Sequence, residues 1–364
     1  SSRMSRPAIS IQSGGGWTFG SPSVLMMFYR APGELESELA EMDECMPHYY
    51  RVTNCHGQGA ETIMRAEALF YQGHVTDAHI ELERAYAQVG GNGQINMALC
   101  CDFLSWRLSL HTDVERRYTF SERYAALLRY HDASWINIWS ATSAYYHALR
   151  GETDKIPEIF SQHRLSDIHL LAPGKPMMEM IENQVYLAQG AYAKVLGRSA
   201  ELLAACEAMH YALVALHIRI QTAAAYARLG KPETAHTWLQ KALSDAGPDG
   251  LVMPFAENYS ILKPLLARET RSAFAARITA LGEAAQARGA ERLRPAAFRA
   301  LTAREFEIVE LMVQRLSNRE IAQKCYLSEG SVKQYVNQIY SKLHIEGDTR
   351  TKRAQLAALL HEKT

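Results

Sequence analysis

The sequence has no net charge: 39 Lys and Arg stand against 39 Asp and Glu. The chain as a whole is therefore neither a basic nucleic-acid tail nor an acidic disordered segment. No run of about 18 apolar residues occurs, and the opening SSRMSRPAIS has no apolar centre of the kind a signal peptide carries. Those two absences exclude a helical membrane span and point to a cytoplasmic protein with no membrane partner. Cysteine is sparse and scattered: Cys45, Cys55, Cys100, Cys101, Cys206 and Cys325 form no C-x-x-C pair, which reads as reduced thiols used for packing. The histidines include no H-x-x-x-H pair, and His74 and His79 fall on different faces of a helix, so no metal site is expected. G-x-S-x-G and G-x-x-x-x-G-K-[ST] are both missing, and SGGGWTFGSPS lacks the lysine a phosphate loop needs. Neither catalysis nor a cofactor is expected of this chain.

Strand signals are also few. The stretch AISIQSGGGWTFGSPS at 8–23 reads as loop, and 1–27 as an N-terminal tail. Almost everything else reads as helix, in runs such as GAETIMRAEALFYQG and MMEMIENQVYLAQG, rich in Ala, Leu, Met and Glu with apolar residues three to four apart. A length of 364 residues suggests two or three units.

The glycines ending LFYQG, HALRG, YLAQG and ARLG are Gly73, Gly151, Gly190 and Gly230, spaced by 78, 39 and 40 residues. The missing middle position of the doubled gap falls near His111 and Thr112. Each glycine ends one helix in a left-handed turn, and a second amphipathic helix starts about two residues later, as in PETAHTWLQKALSDA with Pro232 in its first turn. This is a series of helical hairpins, and a period near 39 with two helices per unit resembles an α-solenoid of tetratricopeptide type. Such a solenoid offers a concave groove. Tyr145, Tyr146, Tyr186, Tyr211 and Tyr226, with Trp106, Trp135 and Trp139, fall mostly in its core, and the remainder would line an effector pocket whose residues the sequence does not name.

Charge is unevenly divided. Residues 268–364 hold 17 Lys and Arg against 11 Asp and Glu, leaving the first 267 acidic by the same margin; the basic end suits a polyanion. After Asp249 and Gly250 the repeat pattern stops, ERLRPAAFRA reads as linker, and a new domain starts near Leu301. Three helix starts follow. Leu301-Thr302-Ala303-Arg304-Glu305-Phe306 combines a capping box with a hydrophobic staple, Leu316-Ser317-Asn318-Arg319-Glu320-Ile321 repeats the device, and Leu327-Ser328-Glu329-Gly330-Ser331-Val332 repeats cap and staple with Ser at N3. The middle helix is short, with Ile321, Ala322 and Cys325 on its inner face, and only Tyr326 and Leu327 separate it from the next cap. That spacing is a helix-turn-helix. The last helix turns Val332, Val336, Ile339 and Leu343 inward and Lys333, Gln334 and Asn337 outward near its N-terminus. Lys can donate to guanine O6 and N7, and Asn or Gln pairs in two-pronged fashion with adenine. Ser328, Ser331, Lys342 and the first-turn amides suit phosphates.

LTAREFEIVELMVQRLSNREIAQKCYLSEGSVKQYVNQIYSKLHI resembles the LuxR-type helix-turn-helix domain, with its Leu-Thr-x-Arg-Glu opening, Ser-Asn-x-Glu-Ile-Ala scaffold helix and Ser-x-x-Thr-Val-Lys recognition helix. Ser331 replaces the usual Thr, and EGDTRTKRAQL is longer and more charged than the family's link. The resemblance puts base contacts on Lys333, Gln334 and Asn337, backbone contacts around Ser331, Tyr335 and Lys342, and a dimerisation helix at 349–361 with Ala354, Ala357 and Leu360 on one side. With helical repeats ahead of it, the chain is similar to the C-terminal part of the large MalT-like regulators, which also carry an ATP-binding module. The chain is then either a fragment or a regulator without ATP.

The expected fold is all-α: a solenoid of tetratricopeptide-like hairpins at 28–268, a helix and linker at 269–300, and a four-helix LuxR-type domain at 301–364. The expected partners are double-stranded DNA, a second copy of the chain in a homodimer, RNA polymerase, as for an activator, and a small-molecule inducer in the repeats. The alternative is a solenoid scaffold whose terminal domain docks a protein.

Overall fold

The computed structural model describes residues 22–361, apart from 54, 91–94, 115, 131–132, 169 and 171–172. The loop read at 8–23 thus lies almost wholly outside the described residues. The α-helices in chain order are α1 Val24–Phe28, α2 Leu35–Thr53, α3 Ala60–Tyr71, α4 Val75–Gly90, α5 Ile95–Leu108, α6 Phe120–Leu127, α7 Ala133–Leu149, α8 Glu158–Ser161, α9 Lys175–Ala188 and α10 Tyr192–Met209. They continue as α11 Ala212–Arg228, α12 Pro232–Ala246, α13 Met253–Glu257, α14 Tyr259–Leu266, α15 Ala273–Leu293, α16 Ala303–Val313, α17 Asn318–Cys325, α18 Glu329–Lys342 and α19 Thr349–His361. No strand occurs among the described residues, and the fold is all-α. None of the described helices is long and apolar enough to cross a membrane. Two compact units divide within α15, between Ala285 and Gln286.

In the first unit all four repeat glycines adopt positive φ, from 69° to 83°, and the amide after each reaches back to the carbonyl five residues before the glycine's successor, as in His74 to Leu69 and Lys231 to Tyr226. That is the Schellman closure a helix makes when a residue without Cβ follows it. The outer helices carry one stripe written three times: Ala78, Leu82, Ala85 and Val89 on α4; Val195, Ser199, Leu202 and Cys206 on α10; Ala235, Leu239, Ala242 and Ala246 on α12, all buried. Spacing of i, i+4, i+7 and i+11 makes one face of a helix. The first helices α3, α5, α7, α9 and α11 pack on one another in series, while α4, α10 and α12 each pack on their own hairpin partner. α5 and α11 are buried nearly all round, as helices flanked on every side must be.

Three features depart from the sequence reading. The hairpin pattern erodes in the middle: α5 ends in a tight turn over 109–111 with no glycine, α6 starts only at Phe120, and α8 is four residues long. Residues 24–27, assigned to the tail, form α1 and are almost wholly buried. A five-residue helix is too short to show periodicity; it is held by the Ser23 side chain and by Glu67 of α3, whose Oε2 accepts the Leu25 amide at 2.7 Å. Burial raises the Glu67 carboxyl to about 7 against the pull of those donors. Third, the concave face is closed: α1 and α13 each pack against both α3 and α11, and the chain's own residues fill the place expected for a groove. Of the tyrosines and tryptophans expected in the core or the pocket, Tyr145, Tyr146, Tyr211 and Trp106 are buried, and Tyr186, Tyr226, Trp135 and Trp139 pack partly buried against the same core.

In the second unit the core is built from Phe298, Leu301, Ile308, Val309, Met312, Ile321, Val332, Ile339 and Leu356 with their neighbours. The stretch read as linker belongs to it. Phe298 is fully buried, 5.5 Å ring to ring from Phe306, and Arg294 Nη1 donates to the Leu301 carbonyl at 2.6 Å while its guanidinium covers the Phe306 ring. Only two residues of that stretch, Arg294 and Phe298, are buried in this way, and one of them is an arginine, so it gives no periodic apolar signal.

Candidate nucleic-acid interface

The terminal unit is organised by caps. Thr302 and Ser317 each form a complete capping box, with Glu305 and Glu320, and Ser328 Oγ accepts the Ser331 amide at 3.0 Å. Each helix also ends the same way. Arg315, Tyr326 and His344 take positive φ of 65°, 55° and 53°, and the next amide, from Leu316, Leu327 or Ile345, bonds back to Leu311, Ala322 or Tyr340. Leu316 and Leu327 therefore serve twice, as the apolar residue after one helix and before the cap of the next. The three-residue turn between α17 and α18 is fixed by this sharing.

The Leu-Thr-x-Arg-Glu segment holds the other two helices. Arg304 donates through Nη2 to the Cys325 carbonyl at the end of α17 and through Nη1 to Glu307 at 2.6 Å; a cation there also meets the negative end of the helix dipole. Glu305, 3% exposed, takes the Lys342 ammonium on both oxygens at 2.8 Å and the Thr302 amide at 2.7 Å. Burial alone would raise the Glu305 pKa; the Lys342 and Thr302 donors more than reverse this and leave it below the usual carboxylate range.

Against this frame α18 presents its outer face. Lys333, Gln334, Asn337 and Gln338 are exposed and make no hydrogen bond or ion pair with a described residue. Ser328 and Ser331 lie at the first turn with their hydroxyls 2.8 Å apart, so the hydroxyl kept by Ser331 pairs with the cap. Tyr335 is half-buried against the core. Lys342 is brought to Glu305 rather than left with the outward donors. On α19, Leu356 is fully buried, Leu360 packs partly buried against the core, Ala357 is half-buried and Ala354 exposed; the three residues expected at a dimer face thus differ in exposure. The charged link is ordered by Asp348, whose Oδ1 accepts the Thr351 amide at 2.8 Å, and by Arg353, which donates to the Leu316 carbonyl at 3.2 Å.

The sequence marks Glu305 as the N3 residue of a capping box but not as the partner of Lys342, and it carries no sign of the helix-holding contacts of Arg304 and Arg353. Tyr326 was noticed only as a spacer, yet its side chain projects into solvent at 97% exposure from the helix-turn-helix bend. Among the described residues no group of three or more His, Cys, Asp or Glu could hold a metal ion.

Residues 299–354 match the family described as bacterial regulatory proteins, luxR family (GerE). The chain is also 44% identical over 50 residues to the transcriptional regulatory protein LnrK of Bacillus subtilis (strain 168), a match spanning 14% of this chain and 23% of that protein. No solved structure matches the chain. The C-terminal unit carries a LuxR-family helix-turn-helix domain.

Proposed function

We propose that the protein, proceeding from its C-terminal LuxR-family helix-turn-helix domain, is a sequence-specific transcription activator that binds double-stranded DNA through α18. The observation that carries this reading is the exposed set Lys333, Gln334 and Asn337, without a partner among the described residues, on a helix that capping, Arg304 and the Glu305–Lys342 pair hold fixed. Donors carried on a fixed helix can meet base edges in the major groove with only their side chains left to order on binding. Ser328, Ser331 and Tyr335 flank them toward the phosphates, and Lys342 acts by positioning α18. A homodimer formed through α19 would occupy half-sites about 10 base pairs apart, and RNA polymerase is the downstream partner of an activator. The helical repeat unit senses a small molecule and controls the terminal unit by favouring one of its arrangements.

Selection of bound duplexes from a random pool, followed by footprinting, tests the reading. A recurring two-part motif supports it. An absence of any shift at low salt, together with salt-insensitive capture of a protein partner, would favour the docking scaffold instead.

A further inference from the structure

The interior of the repeat unit holds a polar centre drawn from five helices. Arg107 of α5, 1% exposed, lies 4.8 to 5.4 Å from the ring centroids of Phe70, Tyr71, Phe103 and Tyr145. Its Nε and Nη2 grip the two oxygens of Glu257, on α13, at 2.7 and 3.0 Å, and Nη1 donates to the Tyr71 hydroxyl at 2.9 Å. Arginine has only donors and a carboxylate only acceptors, so the remaining protons have one consistent order. Tyr71 donates to His217 Nε2 at 3.1 Å, His217 Nδ1–H faces Tyr145 Oη at 3.5 Å, and Tyr145 donates to Glu257 Oε2 at 3.0 Å. The bonds run in a closed loop. Burial, then the charge of Arg107, keeps His217 well below its ordinary pKa, and the loop needs the neutral ring.

Within this loop the carboxylate is the one member supplied by α13, and its donors come from the repeat helices α5 and α7. Hydrogen-bonding capacity on α7, α9 and α11 is unspent. Thr142 Oγ1, both amide atoms of Asn183 and Gln221 Oε1 are buried with no hydrogen-bond partner among the described residues. Thr142 precedes Tyr145 by three positions on α7 and Gln221 follows His217 by four on α11, so each shares a helix face with a member of the loop. Asn183 lies on α9, which packs against both of those helices. Buried polar groups left unpaired call for a partner.

We propose that this centre is the effector site of the repeat unit: a receptor for a small carboxylic acid bearing hydroxyl or amide groups, occupied without ligand by the chain's own Glu257. The inference rests on the reading of the repeat unit as a sensor. Arg107 and Tyr145 offer three donors to a planar two-oxygen group, the geometry of a carboxylate. The further ionisable group coupled to Arg107 from α3, Glu67, is itself acidic, which disfavours a phosphate dianion there. An acid that takes Arg107 turns Glu257 out and removes the ion pair that ties α13 to α5, while its polar groups meet Thr142, Asn183 and Gln221. From α13 the chain runs through α14 into α15 and on to the terminal unit, so the anchoring of α13 is placed to bias that unit.

The test uses the full chain carrying Glu257→Ala, which removes a CH₂-carboxylate fragment that acetate reproduces. The variant should melt lower than wild type, and acetate should restore the melting temperature saturably, whereas acetamide and chloride at equal ionic strength should not. Its DNA affinity should differ from wild type by at least about fivefold, the lower end of ordinary allosteric coupling, and return with acetate. A folded variant whose melting ignores acetate, or whose DNA affinity equals that of wild type, overturns the proposal. Should Glu257→Ala not fold, the isosteric Glu257→Gln must show faster hydrogen exchange in α13 together with altered DNA affinity, and an unchanged affinity overturns the proposal equally. Wild-type protein that binds no DNA would instead fail the functional reading, while acetate rescue of melting tests the carboxylate site separately.

Discussion

Replacing Lys342 with methionine separates the two roles open to a lysine at the end of α18. The ammonium lies 2.8 Å from both oxygens of Glu305, so its removal strands that carboxylate. Breaking a fully buried pair costs about 3–5 kcal/mol and an exposed pair is worth about 0–1 kcal/mol. Glu305 is 3% exposed but Lys342 41%, and the Thr302 amide remains on the carboxylate. A cost of about 2 kcal/mol follows from that mixed exposure. For a unit of this size it corresponds to a fall of roughly 8–16 °C in the transition of the terminal unit, read by calorimetry of the full chain. The pH dependence has a definite sign. Because Glu305 titrates below its unfolded value, the stability it contributes is present above about pH 4.3 and is lost as pH falls through the folded value. The variant should lose part of that acid-labile stability. Where both proteins are folded, the slope of log affinity against log salt should match wild type. An unchanged melting temperature with a slope lowered by about one, the mark of a lost phosphate contact, would refute the reasoning.

Other outcomes are as specific. Gly230→Ala should cost about 1 kcal/mol for left-handed backbone, since a Cβ there meets open space. Gly73→Ala should cost about 1–3 kcal/mol more, because its Cβ would lie 2.8 Å from Leu281 and 2.9 Å from Val252; urea melts that rank the two equally would contradict the packing described. Tyr326→Gly should stabilise the terminal unit by about 1 kcal/mol, as a ring 97% exposed at φ 55° gains no packing. His217 is held neutral in the fold, so the unfolded chain takes up the extra proton below about pH 6.5, and stability falls with acid by up to about 1.4 kcal/mol per pH unit. His217→Gln should lose that slope, and a difference between the two proteins that is constant from pH 7.5 to pH 5.5 (about one unit either side of the reference value) would count against it.

The sequence made some of this legible because certain signals are local. Thr302, Ser317 and Ser328 cap helices through side chains three residues from their targets, and Gly73, Gly151, Gly190 and Gly230 announce left-handed turns by lacking a Cβ. Arg315, Tyr326 and His344 make the same turns without glycine, so their helix ends carried no such mark; the apolar residue that follows each is the only trace. Long-range pairs leave none. Lys342 and Glu305 are 37 positions apart and Arg107 and Glu257 are 150 apart; local pattern marks Glu305 as a capping residue and Lys342 as a phosphate donor, and nothing in it joins either couple. The closing of the concave face by α1 and α13 was hidden for the same reason, since five-residue helices show no period. On α18 the outward donors were readable because exposure follows directly from the spacing of Val332, Val336, Ile339 and Leu343.

The central claim is that α18 reads bases with Lys333, Gln334 and Asn337. Affinities of wild type and Asn337→Ala for every single-base variant of the selected duplex test it most directly. The account predicts a loss of preference at one base position per half-site, worth about 1–3 kcal/mol, with the salt slope unchanged. An Asn337→Ala protein that keeps wild-type preference at every position, or that weakens all sequences alike, would contradict it.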